Sequence, residues 1–381
     1  MAQILSETAK DLVALAKDFC EKEIKPYVAQ WDVDGTFPLE TVKKAMDLGF
    51  HLMEVPEENG GLGIDYEDAC AVYEVFGYYD LGFATTLMAS TLSLKPVLLF
   101  GTPEQIQLYS NIIEEGNMVA FGLTEPNSGS DAGSCKTTAV LEGDEYVLNG
   151  TKCFITNATY AEGWVIFANT DLSKGLKGLS AFIVKKSDGG ITVDKHEDKM
   201  GIRTSDTAMF ALTDVRIPKD RLLGKEGEGF KIAMVTLDLA RPFVAAAAVG
   251  LATRAIDEAG KYSKQRICFG KPIAAMQNIQ FKLADMEIAI EASRALYKHA
   301  LQLYKAHIPF TKEASIAKCF AGDTAFMCAE HAIQIMGGYG YSREYPVEKL
   351  LRDAKILQIY EGTNEVQRSV VAGQVLARYK V

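Results

Sequence analysis

The stretch Val140-Leu141-Glu142-Gly143-Asp144-Glu145-Tyr146-Val147-Leu148-Asn149-Gly150 breaks a helical periodicity and decides the fold. Its apolar and aromatic residues fall in short β-prone runs separated by turn-forming pairs, which is strand patterning. Further runs stand at Phe154-Ile155, Trp164-Val165-Ile166-Phe167 and Ala181-Phe182-Ile183-Val184, and Thr207 to Ile217 adds another, ended by Pro218. Asn149-Gly150 predicts a tight two-residue hairpin turn. The block reads as a compact antiparallel sheet domain that closes near Gly224-Lys225-Glu226-Gly227-Glu228-Gly229.

Both flanks are helical. Upstream, Leu5, Leu12, Ala16 and Phe19 recur at helical spacing, and the turn cluster Pro56-Glu57-Glu58-Asn59-Gly60-Gly61 separates periodic stretches. Downstream, Ile279, Leu283, Met286, Ile290, Ser293, Tyr297, Ala300 and Tyr304 step by fours and threes, the seam of one long helix in a bundle. Another apolar helix is expected from about Ala314 to Met336, stopped by Gly337-Gly338. The predicted class is α+β and multidomain: a helical domain over 1–118, a β domain over 119–226 and a helical bundle over 227–381.

Lys and Arg total 40 against 50 Asp and Glu in 381 residues, a formal charge of −10, which argues against nucleic acid or an anionic membrane as a partner held by bulk charge. The longest uncharged apolar run, Phe243 to Ala252, is well short of the roughly 20 residues of a spanning helix, so no membrane segment is expected. No signal-peptide pattern follows Met1, and a bacterial-type cytoplasmic protein is the simplest expectation. Seven cysteines are scattered without a C-x-x-C pair, the usage of a reducing compartment. Five histidines form no H-x-x-x-H group, so no metal site is expected.

No G-x-G-x-x-G fingerprint follows a strand, and there is no phosphate-binding G-x-x-x-x-G-K-[ST] or G-x-S-x-G elbow. Chemistry is concentrated instead in four glycine-bearing loops. Phe121-Gly122-Leu123-Thr124-Glu125-Pro126-Asn127-Ser128-Gly129-Ser130-Asp131 offers hydroxyls and backbone donors, although alone it reads as a domain-entry loop. In Tyr262 to Ile273, Arg266 could grip a pyrophosphate and Phe269 could stack, or the segment is a solvated helix end. The glycines of Gln334-Ile335-Met336-Gly337-Gly338-Tyr339-Gly340-Tyr341 permit close backbone approach or merely end a helix. Ile359-Tyr360-Glu361-Gly362-Thr363-Asn364-Glu365-Val366-Gln367 delivers a carboxylate to a glycine turn, and Asn364 with Gln367 has capping-box spacing.

Taken jointly and in order, these loops, with Phe154-Ile155-Thr156-Asn157 and the run Arg352 to Glu365, resemble the acyl-CoA dehydrogenase family of flavoproteins across essentially the whole chain. The resemblance implies a helical domain, a β-barrel-like domain and a four-helix bundle, with FAD between the last two. It places Phe121, Leu123, Thr124, Gly129 and Ser130 along the flavin and the start of the CoA tract, and Phe154, Ile155 and Thr156 on the flavin ring. Arg266, Phe269, Gln277, Gln334, Gly337 and Gly338 would serve a neighbouring subunit's cofactor, which implies a homo-oligomer, in this family a tetramer. Thr363 and Glu365 match positions near the pyrophosphate and ribityl chain. Ser130, Asp238, Arg241, Glu361 and Gly362 match substrate contacts.

The implied base is Glu361. One branch of the family carries its base just before the residue matching Arg241, and here that position is Ala240, which accepts no proton. Relatives acting on a dicarboxylic acyl group carry an arginine in the acyl pocket, whereas the matching run Thr85 to Leu94 has no charge. The resemblance thus implies dehydrogenation of a neutral short, medium or alicyclic acyl-CoA, with electrons passed to an electron-transfer flavoprotein. An enoyl-CoA reductase working in reverse and an inactive CoA- or flavin-binding scaffold stay open as alternatives.

Overall fold

The computed structural model describes residues 5–379, in which helices, a β domain and further helices follow one another. The first six helices are α1 Glu7–Phe19, α2 Val28–Asp34, α3 Leu39–Asp47, α4 Tyr66–Tyr79, α5 Leu81–Phe100 and α6 Pro103–Glu114. Their starts follow local chemistry. The Ser6, Asp65 and Asp80 side chains accept the free N–H groups of α1, α4 and α5, and Thr102 with Gln105 forms a capping box ahead of Pro103 at the start of α6.

The eight strands of the main sheet are β1 Met118–Gly122, β2 Thr138–Glu142, β3 Glu145–Thr156, β4 Ala161–Asn169, β5 Leu179–Lys185, β6 Ile191–His196, β7 Thr207–Pro218 and β8 Leu222–Leu223. They lie in the order β6-β7-β3-β2-β4-β5-β8, with β1 against β4. The sheet is mixed and not wholly antiparallel, because β1 pairs parallel with β4. The chain leaves β1 through a long loop and the β2–β3 hairpin, so β4 returns in the direction of β1.

The hairpin expected at Asn149-Gly150 is not there. Its turn is Gly143-Asp144, where Glu142 pairs with Glu145 and Gly143 has φ 64°. Asn149 and Gly150 lie inside β3, where the register against β7 shifts between Leu148 and Gly150. Gly150 is required by close approach, since a Cβ there would stand 2.4 Å from Thr137 Oγ1. Asn149 and Asp214 bridge the bulge by bonds of 2.9 and 3.1 Å. A pair of turn-forming residues has become a bulge because strands flank β3 on both sides.

After the sheet come α7 Gly229–Gln265, the short strands β9 Ile267–Cys268 and β10 Lys271–Pro272, then α8 Gln277–Lys305, α9 Thr311–Met336, α10 Val347–Ala354 and α11 Asn364–Leu376. On α8 the predicted seam faces inward: Met286, Ile290, Ser293, Tyr297 and Ala300 are buried. α7 packs directly on α4. A Cβ on Gly77 would lie 2.2 Å from the Ala247 carbonyl oxygen and one on Gly250 2.1 Å from that of Glu74, so glycine and alanine set the helix spacing. One apolar core accordingly contains residues of both helical blocks, among them Phe76, Phe83, Val249 and Leu251, while Trp164, Phe182 and Phe210 form a separate core in the sheet. Among the described residues two helices, α5 and α7, are long and apolar enough to cross a membrane, but 78% of each apolar window is covered by the protein itself, as for core helices.

Candidate active site

The segment after α10 ends in a left-handed turn at Glu361 (φ 53°) and Gly362 (φ 90°). A non-glycine residue there carries strain of order 1 kcal/mol, so the surroundings must enforce it. Thr363, and not Asn364, caps α11 by accepting from the Val366 N–H at 3.2 Å. Asn364 is buried instead against α9, its amide reaching Cys319 O at 3.1 Å and Asp323 Oδ1 at 2.8 Å. Gln367 turns back and donates to the carbonyls of Glu361 (3.1 Å) and Gly362 (3.0 Å).

The Glu361 Oε2 atom is enclosed and has no hydrogen-bond partner among the described residues. Burial pushes this carboxyl up to about 7, against the opposing charges of Lys318, Lys95 and Arg241. Such a group ionises near neutral pH and has an uncommitted oxygen, the two properties a general base needs. Tyr360, beside it, is half-buried, with its phenol next to Thr85 of α5.

Around this carboxylate stand paired charges. Asp238 and Arg241, one turn apart on α7, are bonded to each other, and Arg241 also donates to Ser315 at 3.1 Å. Thr311 donates to the other oxygen of Asp238, and burial raises that carboxyl and lowers the guanidinium. Lys95, just beyond the uncharged Thr85 to Leu94 run, lies 4.1 Å over the Phe243 ring and pairs with the buried Glu54. The cation is therefore neutralised and does not present an open anion site.

The end of β3 supplies a second wall. Register against β7 shifts again between Lys152 and Ile155, and Phe154 (φ 55°) is thrown outward with 65% of its surface exposed. Ile155 is buried and Thr156 half-buried. Asn157 (φ 65°) pins this end to α5 by donating to Thr86 O at 2.9 Å. Nearby, Phe121 packs on Phe167, Leu123 is buried, Thr124 is half-buried, and Gly129 and Ser130 are exposed.

Sequence reasoning missed what holds that loop. Glu125 is buried and accepts from Lys136 N (2.6 Å), Thr137 N (3.0 Å), Thr137 Oγ1 (2.5 Å) and the Lys152 ammonium (2.7 Å). Burial would raise its pKa, but the Lys152 charge and these donors outweigh that and hold it down to about 2. Lys152 also donates to Leu123 O at 3.1 Å, and the Cys153 N–H to Thr124 O at 3.0 Å. A lone lysine in an apolar strand was the available signal.

A separate groove of about 590 Å³ brings together Arg266, Phe269, Gly337 and Gly338 with Tyr262 and Tyr339. Arg266 sits 5.6 Å over the Tyr339 ring, and Phe269 is 95% exposed. Gln277 and Gln334 are exposed at the adjoining ends of α8 and α9 but do not line this groove. Thr363 is half-buried at the start of α11, and Glu365 is exposed in its first turn. These surfaces fit FAD. Phe154 offers a ring face, a Cβ at Gly129, Gly337 or Gly338 would meet nothing within 4 Å, and Arg266 supplies a cation for a pyrophosphate.

Comparison with known proteins agrees along the full chain. The N-terminal, middle and C-terminal domain profiles of acyl-CoA dehydrogenase match residues 6–116, 120–215 and 227–376. A short-chain specific acyl-CoA dehydrogenase of Megasphaera elsdenii is 46% identical over 379 residues, 98% of this chain and 99% of that protein. An acryloyl-CoA reductase (NADH) of Anaerotignum propionicum is 45% identical over 377 residues, 98% of this chain and 96% of that one. The solved butyryl-CoA dehydrogenase of M. elsdenii superposes with a TM-score of 0.95 at 45% identity, covering 99% of this chain and all (100%) of that one. A chain from the structural study of the electron transferring flavoprotein of Acidaminococcus fermentans, directed at flavin-based electron bifurcation, gives 0.95 at 46% identity, with 99% and 100% covered.

Proposed function

Because the chain belongs to the acyl-CoA dehydrogenase family, we propose that it removes the α-proton and β-hydride from a short, neutral acyl-CoA thioester, with Glu361 as the base. The observation that carries this reading is the enclosed, unpartnered Glu361 Oε2 on a left-handed turn, in a carboxyl raised to about 7.

FAD, once bound, supplies the acceptor for the hydride leaving Cβ. The remaining work falls to the chain. Glu361 takes the α-proton onto its free oxygen. Its backbone N–H stands on the same turn and is available to the thioester carbonyl, where negative charge develops. Asp238 and Arg241 lie beside the base and suit contact with the CoA chain. Buried Leu87 and Met88, with half-buried Tyr360, keep water from the acyl group, which strengthens the base. Neutrality of the acyl group is supported by the uncharged Thr85 to Leu94 run and by pairing of Lys95 with Glu54. Its short length is supported by the short-chain and butyryl-CoA relatives.

An electron-transfer flavoprotein is the proposed electron acceptor, supported by the A. fermentans likeness. A homotetramer is the proposed assembly, supported by the exposure of Phe269 (95%), Tyr341 (83%), Ile288 (67%) and Phe281 (59%), apolar surface that a second copy would cover. A second reading, reduction of an enoyl-CoA by the reverse path, is favoured by the likeness to an acryloyl-CoA reductase. An inactive scaffold has no use for a free carboxylate on a strained turn.

The test is an anaerobic panel of acyl-CoA thioesters followed by flavin bleaching, with wild type and Glu361→Gln. Bleaching by butyryl-CoA in the wild type and its loss in the variant, with substrate still bound, is expected. Wild-type bleaching by Glu361→Gln overturns the assignment.

A further inference from the structure

α9 runs under the Glu361 turn as a platform, and the close approach is built in at Gly322, where a Cβ would stand 2.8 Å from the Leu357 carbonyl oxygen. From this platform the wholly buried Lys318 sends its ammonium to Gly362 O at 2.8 Å and Asn364 Oδ1 at 3.2 Å. The wholly buried Gln367 amide, from α11, reaches the carbonyls of Glu361 and Gly362 at 3.1 and 3.0 Å. Two side chains from two helices thus hold two consecutive carbonyls of a backbone turn that is unfavourable by itself.

A buried ammonium is costly unless its surroundings use it. Lys318 has no carboxylate at hydrogen-bond distance among the described residues; its acceptors are a backbone carbonyl and an amide oxygen. Helix packing alone would be served as well by an apolar side chain of that length. We propose that Lys318 and Gln367 are positioning residues for the dehydrogenation: they lock the Glu361–Gly362 turn that carries the base, and Lys318 keeps a cation facing that base. This rests on the reading of Glu361 as the base.

The charged groups facing Glu361 are Lys318 from α9, Lys95 from α5 and Arg241 from α7, with the Tyr360 phenol beside it. Lys318 in turn faces Glu361, Cys319, Asp323 and Arg241, and Asp323 is already engaged by Gln358, Asn364 and Arg368. Of the three cations around the base, Lys95 and Arg241 are tied to Glu54 and Asp238. Lys318 is the one not neutralised by a carboxylate in direct contact, so its loss should act most strongly on Glu361.

The experiment compares Lys318→Met, Lys318→Arg and Gln367→Met as FAD-loaded enzymes. FAD content, thermal melting, kcat and KM for flavin reduction by butyryl-CoA, and the pH dependence of each are measured. Solvent-deuterium incorporation at the butyryl-CoA α-carbon, read by NMR, reports proton abstraction apart from hydride loss. Lys318→Met should lose about 100-fold in kcat, the scale of a misplaced catalytic group, with KM little changed. Its acid limb should move to higher pH and α-deuteration should slow, while Lys318→Arg keeps the limb in place and recovers part of kcat. Wild-type kcat, pH profile and exchange in Lys318→Met overturn the proposal. If Lys318→Met does not fold or hold FAD, Gln367→Met decides: lowered kcat with an unmoved acid limb supports the proposal, and wild-type kcat overturns it. Glu361→Gln run alongside separates the two readings. An active Glu361→Gln removes the base itself, whereas an inactive one beside wild-type Lys318 and Gln367 variants removes only the positioning role.

Discussion

Lys152 and Glu125 form a wholly buried ion pair, 2.7 Å between Nζ and Oε1, that fastens the loop after β1 to the middle of β3. The same ammonium reaches Leu123 O, so one side chain connects the two segments that the family resemblance places along the cofactor. Lys152→Met would leave the Glu125 carboxylate buried without its counter-charge, held only by neutral donors. A loss of about 3 to 5 kcal/mol is expected, the usual cost of breaking a buried pair, together with poorer FAD retention. Thermal melting and the flavin-to-protein absorbance ratio check both.

With Glu361 as the proposed base, its raised pKa should set the pH dependence of the reaction. The base form is the carboxylate, so kcat/KM for flavin reduction should fall about tenfold per pH unit below the value of about 7. A profile flat from pH 5 to 8 would contradict a buried carboxylate base.

The same shift makes a stability prediction of definite sign. A carboxyl whose pKa is raised by folding costs stability when ionised, and the cost disappears as pH falls through the folded pKa toward the unfolded one. Glu361→Gln should therefore melt higher than wild type at pH 8, with the gain vanishing near pH 4.5. Equal gains at both pH values would rule out the electrostatic origin.

Arg266→Ala removes a cation from the groove that Phe269, Gly337 and Gly338 share. FAD affinity should weaken by roughly 1 to 3 kcal/mol, the range for a charge-assisted contact, and the oligomer should loosen with it. Titration calorimetry and light scattering read the two effects, and a tight monomeric holoprotein would refute the link between them.

Gly250→Ala places a methyl carbon 2.1 Å from the Glu74 carbonyl oxygen, where backbone and not a flexible side-chain tip must move. A loss of about 1 to 3 kcal/mol is expected from overpacking. The melting temperature measures it directly, and an unchanged value would mean that α4 and α7 can separate freely.

What the sequence disclosed follows the range of its interactions. The strand patterning after residue 120, the α8 seam and the glycine stop after Met336 are local periodicities, and the structure has all three. The reading of Glu361 as a base came from the family resemblance of the loops taken together, since the residues around it alone read as a helix-to-helix turn. The partnerships of Lys318, Lys95 and Lys152 were hidden, Lys152 showing only as a charge in an apolar strand, because each meets its acceptor 44, 41 and 27 residues away, beyond any local pattern. Asn149-Gly150 misled for the same reason: β7, which pairs with this stretch, reaches it from 65 residues further along the chain.

The reciprocal glycine contacts between α4 and α7 change what counts as a unit of this protein. By pattern the chain divides into thirds, but the first third shares one apolar interior with the last and a second with one face of the sheet and the start of α7, while the other face of the sheet has a core of its own. The helical segment ahead of β1 is therefore not a detachable module. Expressed alone it would expose the α4 face that Ala247 and Gly250 cover, and recombining it with the remainder of a relative would require the two helix surfaces to match at backbone distance. Inheritance of the two helical blocks is thereby coupled, and the sheet is tied to both through the apolar face it shares with α5, α6 and the start of α7.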